Sequence, residues 1–136
     1  MRKIKRMMKI GIDLDNCITA SRNSQAFFSL MTNALKESAF VYIITNRENS
    51  AESLKSTVSE LGSMNIYFDH VEITADKEEF IIDKGITIYF DDTDEMYKNL
   101  PEEVVVFKIR EPGNFDFDSG RWYYDSKTGI DIDNRK

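Results

Sequence analysis

The chain contains very little cysteine or histidine and no long hydrophobic run. Cys17 is the single cysteine among 136 residues, so no intrachain disulfide can form, which favours a reducing, cytoplasmic setting. His70 is the single histidine, and a histidine-rich metal site is therefore excluded. No stretch approaches the length of a membrane span, so we expect no membrane association. The basic residues 1–7 are not followed by the apolar region of a signal peptide, and we interpret them as a solvated lead-in.

The remaining composition is that of an acidic globular protein. Hydrophobic residues make up 41% of the chain and charged residues 31%, as in ordinary soluble domains. The formal net charge of −6 argues against nucleic-acid binding through bulk charge. The length predicts a single domain covering residues 1–136.

Apolar runs alternate with helical patterns along most of the sequence. Strands are predicted at Met8–Leu14, Ala39–Ile44, Met64–Phe68 with Val71–Ile73, Ile86–Phe90 and Val104–Ile109. Helices are predicted at Ser24–Ser38, Ala51–Leu61, Asp76–Lys84 and Thr93–Asn99, with Ser24 and Asp76 as N-caps and Gly62 and Gly85 as C-terminal stops. Alternating strands and helices predict an α/β fold with a central parallel sheet and right-handed crossovers.

The C-terminal region, residues 113–136, has a different pattern. Arg121–Tyr124 and Ile130–Ile132 flank the segment Ser126–Gly129, whose glycine suits a tight turn. The sequence therefore predicts a β-hairpin as an extension of the α/β domain.

Polar residues gather at the carboxyl ends of three predicted strands, where open parallel sheets bind their ligands. Two carboxylates at positions i and i+2 of a strand point to the same side and can converge on one ligand. The residues concerned are Asp13 and Asp15 after the first strand, Thr45 and Asn46 after the second, Asp91 and Asp92 after the strand Ile86–Phe90, and Lys77 at the start of the preceding helix.

Each of these side chains has a chemical use if the ligand is a phosphate ester. Asp13 and Asp91 could supply oxygen ligands to Mg²⁺. Thr45 could donate a hydrogen bond to a phosphoryl oxygen, and Lys77 could neutralise its charge. Asp13 could attack phosphorus, while Asp15 could protonate the leaving oxygen and then activate water.

The order of these motifs resembles that of the haloacid dehalogenase-like superfamily of phosphohydrolases. The matching segments are Ile10-Gly-Ile-Asp-Leu-Asp-Asn16, Val41-Tyr-Ile-Ile-Thr-Asn46, Asp76-Lys77 and Ile88-Tyr-Phe-Asp-Asp92. Each motif alone is weak, whereas all four in order at strand or helix ends are specific. The resemblance spans residues 8–109 and implies a Rossmann-like three-layer sandwich that carries out Mg²⁺-dependent phosphoryl transfer.

The resemblance also implies a role for each matching residue. It makes Asp13 the nucleophile, Asp15 the acid/base, and Thr45 and Lys77 phosphate ligands assisted by Asn46. The metal would be held by Asp13, Asp91 and the backbone carbonyl of Asp15, with support from Asp92.

Two residues depart from the family pattern or compete within it. Cys17 stands where the family usually has threonine or valine, and we interpret it as a small buried residue rather than a nucleophile. Lys84 competes with Lys77 for the third motif. We prefer Lys77, because Lys84 precedes a strand and belongs to the amino end of the sheet.

The spacing of the motifs leaves little room for a cap domain, which suggests an open site that admits a bulky substrate. A nucleotide or a polynucleotide end is the substrate class we expect. The motifs resemble bacterial and phage 5′(3′)-nucleotidases, and Val106–Phe115 resembles the end of phage polynucleotide kinase 3′-phosphatase domains. The alternatives are a non-catalytic Mg²⁺- or phosphate-binding module and a phosphotransferase that keeps its aspartyl-phosphate.

Overall fold

The chain folds around a five-stranded parallel sheet. A computed structural model describes residues 8–93 and 97–123. The strands are β1 (Met8–Asp13), β2 (Ala39–Thr45), β3 (His70–Ile73), β4 (Ile88–Asp91) and β5 (Val105–Lys108), in the spatial order β3-β2-β1-β4-β5. All four pairings in this sheet are parallel. The predicted α/β fold with a central parallel sheet is confirmed, and it is consistent with a Rossmann-like sandwich.

Three α-helices cover the sheet: α1 (Arg22–Leu35), α2 (Ala51–Ser63) and α3 (Lys77–Lys84), with a 3₁₀ turn at Ile18–Ala20. The side chain of Asp76 caps α3 by accepting a hydrogen bond from the Glu79 backbone. Gly85 ends α3 in the left-handed conformation, as predicted, with a φ of 71°. None of the helices in residues 8–93 and 97–123 is long and apolar enough to cross a membrane.

The sheet separates two apolar layers. Neighbouring residues on β2 point to opposite faces, so that Ile43 packs with Phe28 of α1 on one side. Ile44 packs with Ile81 of α3 and Tyr89 of β4 on the other side. The first of these layers also contains Leu61 of α2. Helices α1 and α2 therefore cover one face of the sheet, and α3 covers the other.

A short antiparallel hairpin follows the sheet, formed by β6 (Phe115–Asp116) and β7 (Arg121–Trp122). The C-terminal hairpin is therefore present, but Arg121–Trp122 pairs with a strand that precedes it in the sequence. The predicted partner, residues 130–132, lies outside the described residues.

One predicted strand is wrong. Met64–Phe68 forms a turn and an irregular segment, because its first backbone N–H groups bond back to the end of α2. Ile66 donates to the carbonyl of Leu61, and Asn65 adopts a left-handed φ of 56°. The apolar side chains of the segment are thus buried by a chain reversal rather than by pairing in the sheet.

The start of α1, the end of α2 and the described part of the predicted helix Thr93–Asn99 differ from the prediction. Ser21, not Ser24, caps α1 by accepting a hydrogen bond from the Ser24 backbone. Gly62 lies within α2, which ends two residues later than predicted. The predicted helix Thr93–Asn99 falls partly outside the described residues, and its described end at residues 97–99 is not helical.

Candidate functional site

The two central strands carry the first and fourth motifs side by side. The chain leaves β1 towards β2 and later returns to place β4 on the other side of β1. Ile12 pairs with Phe90, and this register sets Asp13 next to Asp91 at the carboxyl edge. Such a change of direction in the strand order creates the crevice in which open α/β sheets bind ligands.

Asp13, Asp91 and Asp92 form a buried group that we call the carboxylate cluster. One oxygen from each lies within 4.8 Å of the others. None of the three residues is more than 7% exposed. Three acids this close together in a dry environment repel one another unless cations or protons compensate their charge.

Lys77 provides the cation in contact with the cluster. Its Nζ donates a hydrogen bond to Oδ1 of Asp13 at 2.6 Å and lies 3.8 Å from Oδ2 of Asp91. The lysine is the first residue of α3, and only 8% of its side chain is exposed. Burial alone would lower the pKa of Lys77, but the charges of Asp13 and Asp91 raise it, so the side chain stays protonated.

Asp91 is held by more hydrogen bonds than any other member of the cluster. Oδ2 accepts hydrogen bonds from the phenols of Tyr89 and Tyr97, the former at 2.5 Å. Oδ1 accepts from the backbone of Asp92 at 2.6 Å and from the backbone of Thr93 at 3.0 Å. These contacts fix the orientation of the carboxylate, as outer-sphere hydrogen bonds do for metal ligands.

The pKa values of the cluster diverge. Burial, followed by repulsion from Asp91, raises the pKa of Asp13 to about 6 despite the opposing effect of Lys77. Burial and hydrogen bonding to Asp91 and Asp13 raise the pKa of Asp92 to about 9. Burial would also raise the pKa of Asp91, yet Lys77 and its hydrogen-bond donors keep it below its ordinary value. At neutral pH the cluster therefore retains a proton on Asp92.

Asp15 lies at the rim of the cluster on a tightly turned loop. Asn16 adopts a left-handed φ of 61°, a conformation that asparagine tolerates, and its backbone N–H donates to Oγ1 of Thr19. The backbone N–H groups of Cys17 and Thr19 both bond to the carbonyl of Leu14. This turn leaves the Asp15 side chain half exposed, in contrast to the buried Asp13.

Arg47 binds Asp15 through two hydrogen bonds. Its Nε lies 3.0 Å from Oδ2 of Asp15, and its Nη2 lies 2.8 Å from Oδ1. Its Nη1 donates to Glu60 at 2.8 Å and to Thr57 at 3.1 Å, both on α2. The hydrogen bonds from Arg47 hold the pKa of Asp15 below its usual value.

Thr45 and Asn46 complete one wall of the cleft. Thr45 is the last residue of β2, is fully buried, and donates from Oγ1 to Oδ2 of Asp15 at 3.3 Å. Asn46 is exposed. The cleft has a volume of about 240 Å³ and is lined by Asp13, Asp15, Asn16, Thr45, Asn46, Lys77, Asp91, Asp92 and Thr93. All seven residues singled out in the sequence thus line one cleft.

Lys84 and Cys17 lie outside this cleft. Lys84 is at the other end of α3, where its backbone carbonyl accepts a hydrogen bond from Lys9 and its side chain is largely exposed. Cys17 is fully buried, and burial, with the nearby Asp13, raises the pKa of its thiol well above the ordinary value. A thiol kept protonated in this way is a poor nucleophile.

The hairpin lies beside the cleft without lining it. Lys108 pairs with Asp91 in the sheet, and its Nζ lies 5.9 Å from the Tyr97 ring centroid and 5.8 Å from that of Trp122. Within residues 8–93 and 97–123, neither hairpin strand contributes to the lining. This part of the chain therefore leaves the cleft uncovered on the hairpin side.

The donor set of the carboxylate cluster fits a hard divalent cation. Mg²⁺ prefers carboxylate oxygens and keeps several waters, and a half-open cleft with three converging carboxylates offers both. Lys77 is one cation beside three buried carboxyl groups, and burial together with their interactions raises the pKa of both Asp92 and Asp13. We infer that Asp13, Asp91 and Asp92 are the residues that would hold such a cation.

The raised pKa values predict an unusual dependence of stability on pH. In EDTA, the free energy of unfolding should fall between pH 5 and pH 9. The reason is that the unfolded chain loses these carboxyl protons near pH 4, whereas folded Asp13 and Asp92 keep theirs up to about 6 and about 9. Urea unfolding at several pH values measures this decline. In Asp92→Asn the residue is neutral at every pH, so the part of the decline between about pH 6 and pH 9 should disappear. If the free energy of unfolding of the variant still declined as in wild type, the raised pKa of Asp92 would be wrong.

Sequence reasoning missed Arg47 and Tyr97. The position of Arg47 directly after Thr45-Asn46 is a signal, because a cation that follows a strand end at this edge can reach the cleft. No signal of comparable strength marks Tyr97, since a tyrosine in a loop is more often a packing residue.

Comparison with known proteins adds no identification: no family model matches the chain, and neither does any curated protein or solved structure. The residues of the cleft are therefore the basis for assigning a function to this protein.

Proposed function

We propose that the protein is a Mg²⁺-dependent phosphomonoester hydrolase of the haloacid dehalogenase-like type. The observation that carries this proposal is the placement of Asp13 between a buried lysine and two further aspartates, with Asp15 on the rim. One cleft then contains an attacking carboxylate, a cation for the phosphoryl group and a group for proton transfer. We assign the binding of phosphoryl oxygens to Thr45 and Asn46, which line the same cleft.

The reaction has two displacement steps. An oxygen of Asp13 attacks phosphorus, the bond from phosphorus to the leaving oxygen breaks, and Asp15 gives that oxygen a proton. Water then attacks the aspartyl-phosphate, its proton passes to Asp15, and the bond from phosphorus to Asp13 breaks to release inorganic phosphate. Lys77 neutralises negative charge throughout, and bound Mg²⁺ would add Lewis-acid neutralisation of the phosphoryl oxygens.

The substrate class that the cleft favours is a nucleotide or a polynucleotide end. The connection from β1 to α1 covers residues 14–21 and that from β2 to α2 covers residues 46–50, so neither holds a cap domain. A cleft that the described residues 8–93 and 97–123 leave open admits a phosphate that projects from a large molecule.

Phosphate release tests the proposal. Suitable substrates are nucleoside monophosphates, 3′-phosphorylated oligonucleotides and an aryl phosphate, each with Mg²⁺ or EDTA. We expect release in Mg²⁺ and none in EDTA, and the best substrate distinguishes a nucleotidase from a polynucleotide 3′-phosphatase. If folded protein released phosphate from none of these compounds, the proposed hydrolase activity would be contradicted.

A non-catalytic Mg²⁺- or phosphate-binding module is the second candidate. The observation in its favour is that both oxygens of Asp15 already bind Arg47, which removes the acid/base group from use. Such a module would bind Mg²⁺ and inorganic phosphate together in calorimetry without turnover. A phosphotransferase would instead accumulate a long-lived aspartyl-phosphate after mixing with substrate.

A further inference from the structure

The contact between Arg47 and Asp15 conflicts with the role that the hydrolase requires of Asp15. Proton transfer to a leaving group needs an oxygen of Asp15 that can approach the leaving atom. In the structure both oxygens accept hydrogen bonds from Arg47, and Oδ2 also accepts one from Thr45. Productive reaction therefore requires Arg47 to move off Asp15.

Water can replace Arg47 as the partner of Asp15. Half of the Asp15 side chain is exposed, so a released Asp15 carboxylate is hydrated and not left buried without a partner. The second attachment of Arg47, through Nη1 to Glu60 and Thr57 on α2, does not involve Asp15. Arg47 can thus release Asp15 and remain anchored beside the cleft.

The group that displaces Asp15 has to be a better partner for a guanidinium than a single carboxylate. A phosphate group is such a partner, because it carries more charge and matches the planar fork of arginine with two oxygens. The scissile phosphate itself belongs with Lys77 and the carboxylate cluster. Arg47 is then available for a second phosphate on the leaving-group side of the substrate.

We propose that Arg47 recognises a second phosphate group of the substrate, and that its transfer from Asp15 to this group frees Asp15 for proton transfer. This inference rests on the proposed hydrolase and narrows its substrate class to phosphomonoesters that carry a further phosphate. A nucleoside 3′,5′-bisphosphate has this chemistry, because its second phosphate is a monoester that carries more charge than a carboxylate. Simple monoesters lack the second group and leave Asp15 bound to Arg47.

The test compares two substrates that differ by one phosphate, a nucleoside 3′-phosphate and the corresponding 3′,5′-bisphosphate. For the wild type in Mg²⁺, kcat/KM should be at least about tenfold higher for the bisphosphate, the effect of one charge-assisted hydrogen bond. In Arg47→Met the two values should become similar, because the bisphosphate loses its contact and is hydrolysed more slowly, while the monophosphate is hydrolysed faster once Arg47 no longer holds Asp15. Arg47→Lys keeps the charge without the fork and should restore only part of the preference.

Arg110 supplies the matched control. Its exposed guanidinium stacks on the rings of Phe115 and Trp122 in the hairpin, with centroids 4.8 and 4.6 Å away. Arg47, by contrast, contacts the cleft residue Asp15 directly. Arg110→Met should keep the wild-type preference. Loss of the preference in this variant instead of Arg47→Met would assign the second phosphate to the hairpin and overturn the inference.

The remaining outcomes separate the inference from the proposed function. If wild type hydrolyses both substrates equally, the hydrolase stands and the role of Arg47 is wrong. If Arg47→Met slows both substrates by the same factor, Arg47 only positions Asp15, and the inference is again overturned. If folded wild type releases phosphate from neither substrate nor from an aryl phosphate, the hydrolase and the inference fail together.

Discussion

In the proposed hydrolase, replacing Asp13 by asparagine will abolish phosphate release and leave the fold in place. The amide cannot attack phosphorus, so kcat should fall by about 10⁴-fold or more, as when a covalent nucleophile is removed from other hydrolases. The shape of the side chain is kept, and the lost ion pair with Lys77 is offset by the removal of repulsion from Asp91. Steady-state phosphate release with Mg²⁺, together with thermal unfolding, measures both effects.

Two further observations make this test specific. Asp83→Asn is the control, because Asp83 is an exposed residue of α3 outside the cleft. Under the proposed mechanism, wild-type protein quenched after mixing with substrate should carry phosphate on the peptide that contains Asp13, as detected by mass spectrometry. Near-normal release by Asp13→Asn, or phosphate on another residue, would exclude Asp13 as the nucleophile.

Lys77→Met will have the second large effect, because it acts on stability as well as on activity. Without the lysine, three neighbouring buried carboxyl groups lose the cation that contacts them. Breaking such a buried pair costs about 3–5 kcal/mol, which denaturant unfolding in EDTA would measure. Phosphate release should fall by about 10³-fold, since the transferring phosphoryl group loses its positive neighbour.

Magnesium and a matched lysine separate these two effects. Mg²⁺ should restore part of the stability of Lys77→Met, because a divalent cation replaces the missing positive charge in the carboxylate cluster. Lys84→Met should be close to wild type in both measurements, since Lys84 lies at the opposite end of α3. The reverse result, with activity lost in Lys84→Met and kept in Lys77→Met, would exchange the roles of the two lysines.

The sequence predicted the strands and the side chains at their carboxyl ends because both follow from local patterns. A run of β-branched and aromatic residues such as Val41–Ile44 favours a buried strand, and the rules of parallel sheets then place Asp13 beside Asp91. The position of Lys77 follows from the N-cap at Asp76 for the same reason.

The predictions that failed depended on information that local patterns do not contain. Met64–Phe68 has the composition of a strand, but its backbone bonds to the end of α2 and therefore never reaches the sheet. Two serines three residues apart fit equally well as the cap of α1, and only the geometry selects Ser21. The contact of Arg47 with Asp15 depends on the left-handed turn at Asn16, which hydrophobic periodicity does not encode.

The groups that meet in the cleft lie far apart along the chain, and this separation affects the folding kinetics. Thr45 and Asp15 are 30 residues apart, whereas Lys77 and Asp13 are 64 apart, so the second contact closes the longer loop. Contacts that close long loops form late, after local helices and neighbouring strands. Interactions that form after the rate-limiting step slow unfolding more than they speed folding. A cation bound to the carboxylate cluster would therefore lower the unfolding rate and prolong the lifetime of the native state. The folding rate would stay almost the same.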